Sequence, residues 1–216
     1  MNVLAFAASL RKESWNHKLV VLAAEIARRE GADVDLARFA EFGMPLYDGD
    51  DDQANGLPAG ALALKRRVDG AQALLIAAPE YNYSIAGPLK NAIDWVSRAR
   101  PMPWRGKSVF LLSASPSAMG GIRGLWQTRI PLEGCGALVF PDMFALAKAH
   151  EAFEPSGQLR DRALAEKLVR DIVGFVRLAE AVAPLCAGAR TLTTKVRQEK
   201  IEDALEDESR IQPPAR

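Results

Sequence analysis

A chain of 216 residues with 28 Lys and Arg against 27 Asp and Glu carries a formal charge of +1, so no global field draws it to nucleic acid or other polyanions. It is long enough to bury one sizeable core, and length favours a single domain. Two distant cysteines, Cys135 and Cys186, a start without a basic, apolar leader, and apolar runs well short of the about 18 residues a membrane span requires predict a soluble protein of the reducing cytoplasm.

Residues 2–8, NVLAFAA, are continuously apolar, as a strand covered on both faces reads. Leu19, Leu22, Ala23 and Ile26 then recur at helical spacing until Gly31 closes the segment. A weaker strand at 32–38 precedes a long loop to Pro58, a helix at 59–69 and a strong strand at 72–78. A third helix starts near Pro88, whose fixed φ suits a first turn. The run SVFLLSA, residues 108–114, is a fourth strand, followed by a glycine-rich loop, a helix around 122–133 and a fifth strand near 137–147. Leu164, Leu168, Ile172, Phe175, Ala179 and Val182 mark a long amphipathic helix expected to end at Pro184. The domain is placed at residues 1–188 and a charged C-terminal tail at 189–216, where five acids fall between Glu202 and Glu208.

Five strands alternating with five helices predict a doubly wound α/β domain, because each right-handed crossover puts a helix on one face of a parallel sheet. Ligands of such sheets sit beyond the carboxyl ends of the strands where the strand order reverses. The loops after strands one, three and four are therefore the places to look.

The first of them, ASLRKESWNHK at residues 8–18, offers Ser9, Ser14 and Asn16 as hydroxyl and amide donors and Arg11 as a planar cation, ahead of a helix start with unpaired N–H groups. Taken singly, Ser14 reads as an N-cap and Arg11 as a solvated charge. Together they suit a phosphate monoester. Neither G-x-x-x-x-G-K-[ST] nor G-x-G-x-x-G is present, so a nucleoside triphosphate or a dinucleotide pyrophosphate is disfavoured, and the single terminal phosphate of FMN fits better. In the third-strand loop Pro79, Tyr81, Asn82 and Gly87 stiffen or turn the backbone, and Tyr81 and Tyr83 add flat apolar area suited to a planar heterocycle. After strand four, ASPSAMGGIRG brings Ser115 and the adjacent Gly120 and Gly121, where backbone can approach a ligand closely; an ordinary turn and helix start explains the same residues.

These three loops resemble the NADPH-dependent FMN reductases of flavodoxin-like fold, a family that includes bacterial chromate, quinone and azo-dye reductases. Ala8, Ser9, Arg11, Ser14 and Asn16 fill the family's phosphate loop in order; Pro79, Glu80, Tyr81, Asn82, Ser84, Gly87 and the run Leu89 to Trp95 match its flavin loop; Ser113 to Ser115, Gly120, Gly121 and Arg123 match its third loop. The similarity covers about residues 1–180. The family usually has Pro before the loop glycine; here Ala86 precedes Gly87 and Pro88 follows it, which moves the rigid residue into the helix start.

The resemblance implies a five-stranded parallel sheet of order 2-1-3-4-5 and a bound FMN. The phosphate would be held by Ser9, Arg11, Ser14 and Asn16, the ring contacted by Pro79, Glu80, Tyr81 and Asn82, with Ser115 and Gly120 approaching from the third loop. NADPH, or NADH, would be co-substrate, and a quinone, azo compound, free flavin or oxidised metal such as chromate would follow it into the same place, giving ping-pong kinetics. No acid–base residue is obligatory, because the cofactor carries the chemistry. It further implies a homodimer or homotetramer, and FGMPLYDGD after strand two is expected to border the substrate opening. Glu80 also reads as a loop carboxylate or the partner of an Arg, Lys90, Asn91 and Asp94 as charge pairing or subunit contact, and Trp95 and Trp126 as core or anchors. His17, His150 and the cysteines show no ligand spacing, so no metal is expected, and the cysteines read as buried small apolar groups. Competing readings are a flavodoxin-type electron carrier, whose usual strong acidity this chain lacks, a phosphate-responsive signalling module, which needs carboxylates where Ala8-Ser9 stand, and a serine hydrolase, for which G-x-S-x-G is missing.

Overall fold

The structure, a computed structural model, describes residues 1–208, with side chains to residue 186. Five strands, β1 (Asn2–Ala7), β2 (Asp33–Arg38), β3 (Ala73–Ala77), β6 (Ser108–Ala114) and β7 (Leu138–Leu146), form one sheet in the order β2-β1-β3-β6-β7. All four pairings are parallel. This is the flavodoxin-like architecture, and β4 (Glu80–Tyr81) and β5 (Ser84–Ile85) form a separate antiparallel hairpin.

The central strands are almost wholly apolar because both faces are covered: β3 is apolar throughout, and β1 and β6 depart from this at Asn2, Ser108 and Ser113. Val3, Ala5 and Ala7 pack with Leu75 and Ala77 under α1 (Trp15–Arg29) and α7 (Arg162–Glu208). The alternate residues Leu4, Phe6, Leu74 and Ile76 face α3 (Ala59–Gly70), α4 (Gly87–Val96) and α5 (Ile122–Gly134). At the sheet edge β7 tolerates the exposed Pro141, which removes no ladder bond that a partner strand needs, and its pairing with β6 is bulged between Val109 and Leu111.

Two departures from the sequence reading concern local structure. The long loop before Pro58 contains a 3-10 turn (Phe39–Phe42) and the short helix α2 (Gly49–Asn55), capped by the Asp48 side chain on the Asp50 N–H at 2.8 Å. Helix α7 does not stop at Pro184 but runs through it to Glu208. A proline deletes one i→i−4 bond and crowds one turn, a local penalty that the flanking helical residues can carry. The acids between Glu202 and Glu208 have side chains outside the described residues, as does all of 209–216. The remaining short helix, α6 (Ala149–Ala152), follows β7.

Candidate functional site

Strand order reverses between β1 and β3, so the loops after β1, β3 and β6 open at the same edge of the sheet. In the first, Ser14 is the N-cap of α1, extended at φ −88°, and its hydroxyl accepts the His17 N–H at 3.2 Å. The N–H groups of Trp15 and Asn16, the first helical residues, have no acceptor within the helix and carry its positive end. Asn16 is buried for a specific reason: its Nδ2 donates to the Ala114 carbonyl at 2.9 Å and its Oδ1 accepts the Ala114 N–H at 3.0 Å. That two-point pairing fastens the first loop to the end of β6. The Ser9 hydroxyl accepts the Arg11 N–H at 3.4 Å, and the exposed Arg11 guanidinium lies 5.5 Å from the centre of the Trp15 ring.

The loop after β3 is a two-residue hairpin, Glu80 opposite Ile85 and Tyr81 opposite Ser84, with Asn82 and Tyr83 at its tip in left-handed backbone at φ 48° and 65°. The Glu80 side chain is only 8% exposed, and Arg123 donates to its Oε1 through Nε at 3.0 Å and Nη2 at 2.7 Å. The Gly124 N–H reaches Oε2 at 3.1 Å. Burial raises the pKa of this carboxyl, and the bonds from Arg123 and Gly124 with the guanidinium charge outweigh that, leaving it below its ordinary value. Glu80 is thus an ionised partner of an arginine, the second of the two sequence readings, and not a poised proton donor.

In the third loop the Ser115 N–H donates to Leu146 at 3.0 Å, and the Ser115 hydroxyl accepts the Ser117 N–H at 3.2 Å. Gly120 and Gly121 have φ of 61° and 90°. A Cβ on Gly120 would lie 2.8 Å from the β7 backbone at Ala145, and one on Gly121 would lie 2.1 Å from the Ser113 Oγ. Protein atoms, then, occupy the space beside both glycines and give a packing reason for them.

Eight sequence-predicted residues line one cavity: Ser9, Arg11, Ser14 and Asn16 from the first loop, Pro79, Glu80 and Tyr81 from the hairpin, and Ser115 from the third. Asn82 is exposed at the hairpin tip and Gly120 is buried beneath β7, and neither is in the lining. The donors gathered at the first loop and the helix start match an anion, and the carboxylate of the lining, Glu80, is already paired with Arg123 and the Gly124 N–H.

A family model described as NADPH-dependent FMN reductase matches residues 1–151, which hold all three loops. An NAD(P)H-dependent FMN reductase of Pseudomonas aeruginosa is 37% identical over 168 residues, 74% of this chain and 85% of its own. A quinone reductase of Escherichia coli is 32% identical over 184 residues, 84% of this chain and 97% of its own. Among solved structures, the flavoenzyme FerB, an NAD(P)H:(acceptor) oxidoreductase of Paracoccus denitrificans, superposes with a TM-score of 0.73 at 29% identity, covering 84% of this chain and 98% of that one. The chain belongs to the NADPH-dependent FMN reductase family.

As a reductase of this kind, an enzyme of the FMN and quinone reductase type, the protein has further parts that sequence reading missed or left open. Trp15, Ala114 and Pro116 join the cavity wall. Trp15 stood within the quoted loop, yet nothing in its spacing distinguished it from a helix-start residue. Asn91 and Trp95, part of the matching run after Gly87, secure the loop between β2 and α3. The Pro45 carbonyl accepts from Asn91 Nδ2 and Trp95 Nε1, each at 2.8 Å, and Asn91 Oδ1 accepts the Tyr47 N–H at 2.8 Å. Trp95 is fully buried, Trp126 is 52% exposed, and Lys90 pairs with Asp94 at 2.7 Å. The cysteines are half-buried, not core residues as expected, and burial raises the Cys135 thiol pKa. Burial, with the Arg38 charge behind it, lowers the pKa of His17. Among the described residues no three potential metal ligands gather, and no helix is long and apolar enough to cross a membrane.

Proposed function

We propose that the protein is an FMN-dependent NAD(P)H oxidoreductase that passes hydride equivalents from NADPH, or NADH, through bound FMN to small acceptors by a ping-pong mechanism. Quinones, azo compounds, free flavin and chromate or other oxidised metals are the acceptor classes. The observation that carries this reading is the convergence of Ser9, Arg11, Ser14 and Asn16 with Pro79, Tyr81 and Ser115 on one cavity. When bound there, FMN supplies the two-electron chemistry. The protein's own part is to hold and orient. The Ser9 and Ser14 hydroxyls, the Arg11 guanidinium and the Trp15 and Asn16 amides hold the phosphate, while Asn16, through Ala114, fixes the spacing of the first and third loops. Pro79, Glu80 and Tyr81 form the ring-side wall, with Ser115 from the third loop, while Asn82 at the hairpin tip and Gly120 beneath β7 act on the ring side only by shaping the backbone behind that wall.

The reductase domain is taken as residues 1–188, with 189–216 as an appended charged segment, in a cytoplasmic homodimer or homotetramer. Exposed Trp126 and Ile130, one turn apart on α5, support association. A monomeric mass by light scattering at micromolar concentration would refute that.

The deciding experiment is a visible spectrum of the purified protein and anaerobic mixing with NADPH, then with acceptors. Yellow protein that bleaches with NADPH and recovers with a quinone supports the oxidoreductase, with parallel double-reciprocal plots marking ping-pong order. Flavin that NADPH does not bleach indicates an electron carrier. Colourless protein that takes up no FMN ends the proposal.

A further inference from the structure

The cavity of the proposed reductase has one wall whose shape the backbone does not adopt readily. Asn82 and Tyr83 stand at φ 48° and 65°. Two-residue hairpin turns of this hand favour Asn-Gly, because glycine enters left-handed backbone without a side-chain penalty. Asn82 fits that preference and Tyr83 does not, so something outside the turn must hold it.

One side chain reaches both ends of the problem. Arg123, at the start of α5, grips Glu80 through Nε and Nη2, and its guanidinium carbon sits 4.2 Å from the centre of the Tyr83 ring. The hairpin lies directly against α5, within reach of the Arg123 side chain: a Cβ on Gly124 would lie 2.9 Å from the Glu80 Cβ and 3.2 Å from the Ser84 carbonyl oxygen. A planar, fixed fork that stacks on an aromatic face and pairs with a carboxylate is a task for Arg and not for Lys.

We propose that Arg123 is the positioning residue that locks the Asn82–Tyr83 turn in its left-handed form, clamping Glu80 with its edge and Tyr83 with its face so that the hairpin wall of the FMN site is preformed. Arg123 is outside the cavity lining and acts through the hairpin. This inference rests on the FMN reading, and its test separates the two.

Amide exchange of the hairpin is measured on the apo-protein, and FMN affinity by fluorescence quenching, for wild type, Arg123→Met and Arg123→Lys, each with Tyr83 and with Tyr83→Gly. Arg123→Lys keeps a charge beside Glu80 and guards against a fold too damaged to read. Exchange at Asn82 to Ser84 should speed up in both Arg123 variants, and FMN affinity should fall about tenfold in Arg123→Met and less in Arg123→Lys. With Gly at 83 the turn needs no clamp, and the loss should shrink by about threefold or more. An equal loss of affinity with Tyr and with Gly at 83, or hairpin exchange unchanged from wild type, overturns the proposal. Wild-type protein that binds no FMN would sink the functional reading, while the exchange comparison would still decide whether Arg123 holds the turn.

Discussion

The loops after β1 and β3 meet at one cavity but are built in opposite ways. The first is a set of donors on ordinary backbone, with Ser14 extended at φ −88° and a helix start behind it. The second is a shape: two left-handed residues, a two-plus-two residue hairpin and an ion pair that fixes it to α5. A donor can be deleted without disturbing its neighbours, whereas a shape fails as a unit. Substitutions in the first loop should therefore change ligand affinity with the fold intact, and those around the second should change the fold first.

The largest expected effect breaks the second region. Gly124→Val would push a Cβ to 2.9 Å from the Glu80 Cβ and 3.0 Å from the Glu80 Cα, and backbone cannot swing aside as a flexible side-chain end can. We expect a loss of about 2 to 3 kcal/mol in urea unfolding, the range for overpacking a close contact. Unchanged stability would show that the hairpin moves freely and would erase the contrast between the loops.

The next tests the first region. Arg11 is exposed and its guanidinium lies over the Trp15 ring, so Arg11→Ala should leave unfolding within about 0.5 kcal/mol of wild type. It should nevertheless weaken FMN binding by about 10-fold to 150-fold, the equivalent of one charge-assisted hydrogen bond. Affinity that stays the same would remove Arg11 from the phosphate site. Affinity and stability falling together would show that this loop, too, is a shape.

Much of the fold was legible because the signals were local. Continuous apolar runs gave the central strands, since Val3 to Ala8 is buried at every position, whereas the edge strand at 32–38 read more weakly, and Leu19, Ala23 and Ile26 placed the first helix. The order of the sheet and the family followed from the loop motifs. What escaped depends on contacts between distant residues. Asn16 read as a phosphate donor, and its pairing with Ala114 spans 98 residues. Asn91 read as charge pairing or subunit contact and Trp95 as core or anchor, and their common acceptor is Pro45. The hairpin lacks the Asn-Gly signature, and only the position of Arg123 explains how Tyr83 sits where glycine is favoured. Pro184 misled because a proline's cost is local and its outcome depends on what packs around the helix.

The smallest effect sharpens the comparison through pH. The Glu80 carboxyl, raised by burial but lowered more by Arg123 and Gly124, ends below its ordinary value of 4.5. A group whose pKa is depressed on folding contributes stability that is complete above the unfolded value and fades as pH falls through the folded one. Glu80→Gln keeps an acceptor but removes the charge, so wild type should be more stable by about 1 to 2 kcal/mol from pH 8 to 5. Below the ordinary carboxyl value the gap should close, because the wild-type side chain is then neutral as well. Among the described residues no ion pair joins Arg11 to a carboxylate, and the stability difference between wild type and Arg11→Ala should show no acid limb. A Glu80→Gln gap that closed near pH 6 or above would mean that Arg123 is not what holds the carboxylate ionised, and the hairpin would have to owe its shape to something other than charge.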